Sequence, residues 1–212
     1  MSKLQWVPTP SFLYRNYLYL KIAKALPKSS RFLDIGSGNG DFVKKLLPMG
    51  YTGESLDYSP KAIEFMKSHL GKVKGITIRL GNIFKFYPLK KYDVAFCFEV
   101  LEHIKEDAKA MQKIFCFLKP GGTFVMSVPA HMALWANVDV LKGHFRRYER
   151  EELCVKLKKA GFKIQSIWCY GFPFLRLIRA FSSSGEFIKS SIPGLKAQKT
   201  GETDIHKRSA PL

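Results

Sequence analysis

Acidic side chains are scarce in this chain, with 17 Asp and Glu against 35 Lys and Arg in 212 residues, so the formal net charge is +18. Such a basic excess attracts phosphates, in nucleic acid or in anionic lipid headgroups, without saying which. Cysteine is scarce as well. Cys97, Cys116, Cys154 and Cys169 show no Cys-x-x-Cys spacing, which argues against a zinc or dithiol redox site, and their apolar surroundings predict buried, reduced thiols. No apolar run approaches the roughly 18 residues that span a bilayer, and neither end reads as a signal peptide, so a cytoplasmic location is expected. Internal repeats and low-complexity tracts are lacking too.

What is present is a core. With 46% hydrophobic and 14% aromatic residues, the chain has enough apolar surface to offset the entropy of ordering. Its length fits one α/β domain. Phe12 to Leu26 has helical spacing and stops at Pro27, and Arg31 to Ile35 forms a first strand ending in glycines. Strand and helix then alternate: Asp41 to Leu47 helix, Thr52 to Leu56 strand, Pro60 to Leu70 helix, Ile76 to Leu80 strand, Tyr92 to Phe98 strand and Asp107 to Leu118 helix. A Lys119-Pro120-Gly121-Gly122 turn leads into a strand over Thr123 to Val128. This order predicts right-handed crossovers in a Rossmann-like, doubly wound, mostly parallel sheet with helices on both faces. Residues 130–148 form an irregular insertion, Glu151 to Ala160 a helix, and Phe162 to Tyr170 a further strand. The domain is expected to occupy residues 1–181, followed by a polar, Ser-rich and mobile tail over 182–212.

The run Asp34-Ile35-Gly36-Ser37-Gly38-Asn39-Gly40 stands where the first strand meets a helix, the position at which open α/β sheets bind ligands. Glycine lets a ligand approach the backbone and permits positive φ. Asp57 ends the second strand about twenty residues on, where a carboxylate accepts hydrogen bonds from both ribose hydroxyls. A dinucleotide dehydrogenase uses the same two parts, but its fingerprint is Gly-x-Gly-x-x-Gly, whereas the spacing here is Gly36-x-Gly38-x-Gly40.

Together with Gly81-Asn82-Ile83, Phe98-Glu99-Val100-Leu101-Glu102-His103 and Leu118-Lys119-Pro120-Gly121-Gly122, these motifs resemble, in order, the class I S-adenosylmethionine (SAM) dependent methyltransferases, in the broad small-molecule and ubiquinone-type branch. The resemblance covers roughly Ser29 to Phe172. It implies a SAM site built from Asp34, Gly36, Ser37, Gly38, Asn39, Gly40, Asp57, Tyr58, Asn82, Ile83, Phe98, Glu99 and His103. Asn82 departs from the Asp common at its position, so its contact to adenine would carry no charge.

Glu99, Glu102 and His103 have the i, i+3, i+4 spacing that gathers side chains on one face, and such donors suit a divalent cation. With His144 they resemble the metal site of RNA 3'-terminal 2'-O-methyltransferases, and the first three also occur in ubiquinone-pathway O-methyltransferases. Short Glu and His clusters often bind no metal. The preferred reading is accordingly that Glu99 and His103 line the SAM pocket while Glu102 caps a helix or pairs with a Lys.

After the fifth strand come His131, Trp135, Asp139, His144, Arg146, Arg147 and Tyr148, where the resemblance places the acceptor. SAM brings an electrophilic methyl group, so the protein must align a nucleophile and exclude water. His131 and His144 are the candidate bases. Arg146 and Arg147 either bind the acceptor or pair with Glu149, Glu151 or Glu152. Three functions stay open. A small-molecule or lipid-like acceptor, methylated at oxygen, fits the aromatic insertion and the amphipathic segment Trp168 to Phe181, which suits peripheral membrane contact. RNA 2'-O-methylation fits the charge, though no RNA-binding module is recognisable. A SAM-binding protein without catalysis is the third.

Overall fold

Four consecutive buried residues, Phe32 to Ile35, make β1 (Arg31–Ile35) the centre of a sheet covered on both faces, as its continuous apolar character requires. The computed structural model describes residues 10–170. Within them the sheet has five parallel strands in the order β3-β2-β1-β4-β5, where β2 is Thr52–Asp57, β3 Ile76–Leu80, β4 Tyr92–Phe98 and β5 Leu118–Ser127. Alternate residues of the central strands feed two cores. Phe32, Val94 and Phe96 pack with α1 (Pro10–Ala25), α2 (Asp41–Leu46) and α3 (Pro60–Leu70). Leu33, Ala95 and Cys97 pack on the other side with α4 (Asp107–Phe117) and α6 (Arg150–Lys159). Met111 and Ile114 of α4 are fully buried, each worth about 1.5–3 kcal/mol relative to exposure. Strand order reverses between β1 and β4, so a crevice forms outside their carboxyl ends.

Local chemistry sets the element ends. Ser59 caps α3 by accepting from the Ala62 amide at 3.3 Å, and Pro60 fills the first helical position, where its missing N–H costs nothing. The expected turn at Lys119 to Gly122 is instead a bulge inside β5: Leu118 pairs with Tyr92, Thr123 with Val94, and the residues between loop out. Phe162 to Tyr170 is not a strand. Phe162 and Ile164 pack on the α4-side core while Lys163 and Gln165 face out, which is the period of a strand, but the alternation lapses at exposed Ser166, with Ile167 packed instead, and no ladder forms among the described residues. Alternation reports which side is buried; a strand also needs a backbone partner.

The insertion contains a 3₁₀ turn at Met132–Leu134 and a short helix, α5 (Asn137–Leu141), and a parallel bridge between Ala130 and Tyr148 closes its base. Burial of all four cysteines does not hold: Cys97 is buried, Cys154 half-buried, and Cys116 and Cys169 exposed, all four free. The apolar strand-like and helix-like stretches that carry them did not reveal which face they occupy. The expected tail over 182–212 and most of the Trp168 to Phe181 segment lie outside the described residues. No described helix is long and apolar enough to cross a membrane.

Candidate functional site

The turn after β1 carries Gly36, Gly38 and Gly40 at φ +69°, +55° and +78°, a region costly for residues with a Cβ. The glycines differ in what they face. A Cβ at Gly36 would stand 2.2 Å from Val100 Cγ2, so Gly36 lets the β1 and β4 ends close on each other. At Gly38 a Cβ would meet nothing within 4 Å, so its backbone borders open space. Gly40 packs against Met66 and Leu70 of α3. Asn39 accepts from the Asp41 amide and donates to its carboxylate at 2.8 Å, serving the start of α2. Ser37 Oγ is enclosed without a hydrogen-bond partner.

Asp57 is buried at the end of β2 and held from two sides: Oδ2 accepts from the Gly38 amide and Oδ1 from the Ser59 amide, both at 2.8 Å. Each oxygen retains a second acceptor direction, so the carboxylate is fixed in place with capacity to spare. Burial, and after it the charge of Asp57, push the Asp34 carboxyl up to about 8. Tyr58 is exposed beside Asp57. The Asn82 side chain caps the 3₁₀ turn Ile83–Lys85 by accepting from the Phe84 amide at 2.8 Å, while Ile83 is buried in the core. Gly36, Ser37, Gly38, Asp57 and Glu99 thus stand at the strand ends along one edge, while the Asn39 side chain, Gly40 and the Ile83 side chain also make contacts within the fold.

Beyond β4, Phe98 stacks on Tyr19 of α1 with ring centroids 3.7 Å apart. Glu99 adopts φ +58°, unusual for a residue with a side chain. Its Oε1 accepts from Ser127 Oγ at 2.7 Å and its Oε2 pairs with Arg15 at 3.0 Å. Because Ser127 gives its hydrogen to Glu99, Tyr19 donates to Ser127 across 2.6 Å. The sequence reading missed Arg15, Tyr19 and Ser127. Tyr19 and Ser127 are 108 positions apart, and no motif joins them.

Glu102 neither caps a helix nor pairs with a Lys. It is fully buried, with both carboxylate oxygens lacking a hydrogen-bond partner, because the 3₁₀ turn Leu101–His103 points it inward. Desolvation and then Glu99 raise it to about 8. Its Oε1 is 3.9 Å from His144 Nε2, and His144 Nδ1 lies 2.9 Å from Asp139 Oδ1. The His103 ring meets the His144 ring edge-on at 4.7 Å, and desolvation followed by His144 lowers its pKa. Donor atoms of Glu102, His103 and His144 lie within 4.8 Å of one another, a spacing that suits a metal ion. Glu99 is outside that group, being turned to Arg15 and Ser127.

The two candidate bases differ. His144 is turned inward, whereas His131 is exposed, with Nδ1 3.1 Å from Glu149 Oε2. Neither arginine pairs with the expected glutamates. Arg146 bonds Asp107 at 2.7 Å and the Lys105 carbonyl at 2.8 Å, and Arg147 bonds Asp139 at 2.8 Å and the Ala130 carbonyl at 3.2 Å. Burial acts to raise Asp139, but the hydrogen bonds from Arg147, the Ala136 amide and His144, with the charge of Arg147, together outweigh it and hold the carboxylate below its ordinary range. Both arginines therefore fasten the insertion.

A family described as "Methyltransferase domain" matches residues 13–167. A probable S-adenosylmethionine-dependent methyltransferase of Mycolicibacterium smegmatis is 27% identical over 136 residues, covering 63% of this chain and 52% of that protein. The mitochondrial ubiquinone biosynthesis O-methyltransferase of Schizosaccharomyces pombe is 31% identical over 101 residues, covering 46% of this chain and 37% of its own length. The chain thus spans about half, or less, of these curated relatives. Among solved structures, the N-methyltransferase NodS of Bradyrhizobium japonicum in complex with S-adenosyl-L-homocysteine (SAH) shares the fold, with a TM-score of 0.64 at 22% identity over 77% of this chain and 81% of that one. The glycine turn, the fixed acid after β2 and the match over residues 13–167 lead to one conclusion: the chain belongs to the methyltransferase-domain family of the class I SAM-dependent superfamily.

Proposed function

We propose that the chain is a SAM-dependent methyltransferase that methylates a small-molecule or lipid-like acceptor at oxygen. One observation carries the cofactor half: Asp57 is fastened by the Gly38 and Ser59 amides beside the open face of Gly38. In this reading Asp57 holds the ribose hydroxyls, Gly38 gives the ligand its approach, and the Arg15–Glu99 pair borders the reacting end. Bound SAM supplies the electrophilic methyl group. Oxygen as the target is supported by the likeness to ubiquinone biosynthesis O-methyltransferases. Among the bases we favour His144, since a proton on Nδ1 given to Asp139 leaves Nε2 as acceptor. The free cysteines support a reducing, cytoplasmic setting.

A second reading of the acceptor side rests on Glu102. A buried carboxylate with two unpartnered oxygens is costly, and a cation is the partner that would offset the cost. Glu102, His103 and His144 would hold it, with Asp139 orienting His144 as carboxylates orient metal-binding imidazoles. The ion would supply Lewis acidity toward an acceptor hydroxyl.

Methyl-labelled SAM incubated with a lipid extract and, separately, with RNA tests the function. Label entering the organic phase is expected. Label in RNA would favour 2'-O-methylation, and SAH binding without transfer to either would favour a non-catalytic SAM-binding protein.

A further inference from the structure

The insertion over 130–148 has its polarity inside out. Asp139 is 1% exposed and Arg147 4%, while Leu141 is 86%, Val140 60% and Phe145 57% exposed. Scattered surface hydrophobics need no explanation, but three strongly exposed ones within the six residues 140–145 point to a contact surface. The apolar side chains are held outward by what lies beneath them. Arg147 grips Asp139 through two nitrogens, Asp139 accepts from the Ala136 amide, and the Phe145 amide donates to the Glu102 carbonyl at 2.8 Å. With its polar groups fastened inside, α5 cannot roll over to bury Val140 and Leu141 without breaking a buried ion pair.

The charge around this surface is basic. Lys142 is exposed next to Leu141, and Lys105, whose carbonyl takes Arg146, is exposed too. Of the neighbouring acids, Asp107 and Asp139 are buried in ion pairs and Glu106 pairs with Lys109. We infer that this face of the insertion docks on an anionic lipid surface, with Val140, Leu141 and Phe145 entering the headgroup layer and Lys142 meeting lipid phosphate. The net charge of +18 supplies the long-range attraction. A second copy of the chain fits less well: a stable interface draws on roughly 20–30 residues a side, and this patch would set its lysines against each other. The inference rests on the insertion's geometry and stands apart from the methyl-transfer reading.

Flotation of the full chain with vesicles tests it. Binding is expected to vesicles of phosphatidylcholine with phosphatidylglycerol, and to fall with salt and on vesicles of phosphatidylcholine alone. The double variant V140E/L141E should bind at least about tenfold more weakly, since each lost apolar side chain is worth that much. Its circular dichroism should match that of the wild type, because both positions are exposed. A Phe145→Trp variant should show blue-shifted emission on vesicles. Unchanged vesicle binding by V140E/L141E, or unshifted emission from the tryptophan variant while it is bound, would overturn the inference by placing the contact elsewhere. Sedimentation showing a wild-type dimer that V140E/L141E dissociates would replace the lipid with a second copy.

Discussion

Gly36 and Gly38 belong to one motif, yet their substitutions should fail in different ways. Gly36→Ala drives a Cβ to 2.2 Å from Val100 Cγ2 at positive φ, and should destabilise the chain by about 3 kcal/mol, read as a lowered Tm. Gly38→Val puts its side chain into open space and meets only the strain of positive φ, about 1–2 kcal/mol, so the chain should stay folded while SAH binding is lost in calorimetry. Normal SAH binding by the Gly38 variant would refute the placement of the ligand. Asp34 yields a pH prediction. Its carboxyl rises from 3.8 to about 8 in the fold, so between those values the folded chain holds a proton that the unfolded chain has released. Its contribution to stability therefore falls as pH rises through that window. Asp34→Asn should raise Tm more at pH 8.5 than at pH 5, by roughly 5 °C, as about 2 kcal/mol gives in a chain this long; an equal effect at both pH values would count against a neutral, buried Asp34. For the cation reading, metal analysis of untagged protein should find one ion, with weaker affinity in Glu102→Gln and at lower pH, where protons compete for the same donors. No bound ion, and turnover indifferent to EDTA, would refute it. At this scale the sequence placed Gly38 and Asp57 at the ends of β1 and β2, but spacing alone could not tell that Gly38 borders open space while Gly36 faces Val100 and Gly40 faces Met66.

Elements were legible where burial is continuous and hidden where partners are remote. β1 and β4 could be read because parallel central strands are apolar on both faces, and α3 because Ser59 and Pro60 mark its start. Phe162 to Tyr170 misled because its period-two burial stops after Gln165 and occurs without a ladder. The role of α1 was hidden for another reason: Arg15 and Tyr19 act on the ends of β4 and β5, contacts that only the folded topology creates. Asp107 at the start of α4 is the comparable tie for the insertion and α6. It takes Arg146, Tyr148 and Lys156 at 2.7–2.8 Å, and these hydrogen bonds keep its carboxylate low although burial acts to raise it. Asp107→Ala should cost about 3 kcal/mol in urea unfolding, because it leaves partly buried cations unpaired. Arg150→Ala, at an exposed position, should cost under about 0.5 kcal/mol. Equal midpoints for the two variants would contradict the hub.

At the scale of the whole molecule, the order β3-β2-β1-β4-β5 puts the glycine turn, Asp57 and the ends of β4 and β5 along one edge, and an insertion tied down by buried ion pairs follows β5. The net charge of +18 belongs to this scale too, since it acts on partners and not on the fold. The sequence could give the sign of that charge but not its arrangement, because the pairing of Asp107 and Asp139 with the insertion's arginines emerges only on folding. The central claim is that this edge is a SAM pocket with Asp57 on the ribose. Calorimetric titration of the purified chain with SAH and with NAD tests it most directly. The account predicts one SAH site per chain, at least about tenfold weaker in Asp57→Ala, the loss expected for hydrogen bonds to a charged group, and no heat with NAD. Undiminished SAH affinity in the variant, or a preference of the wild type for NAD, would contradict it.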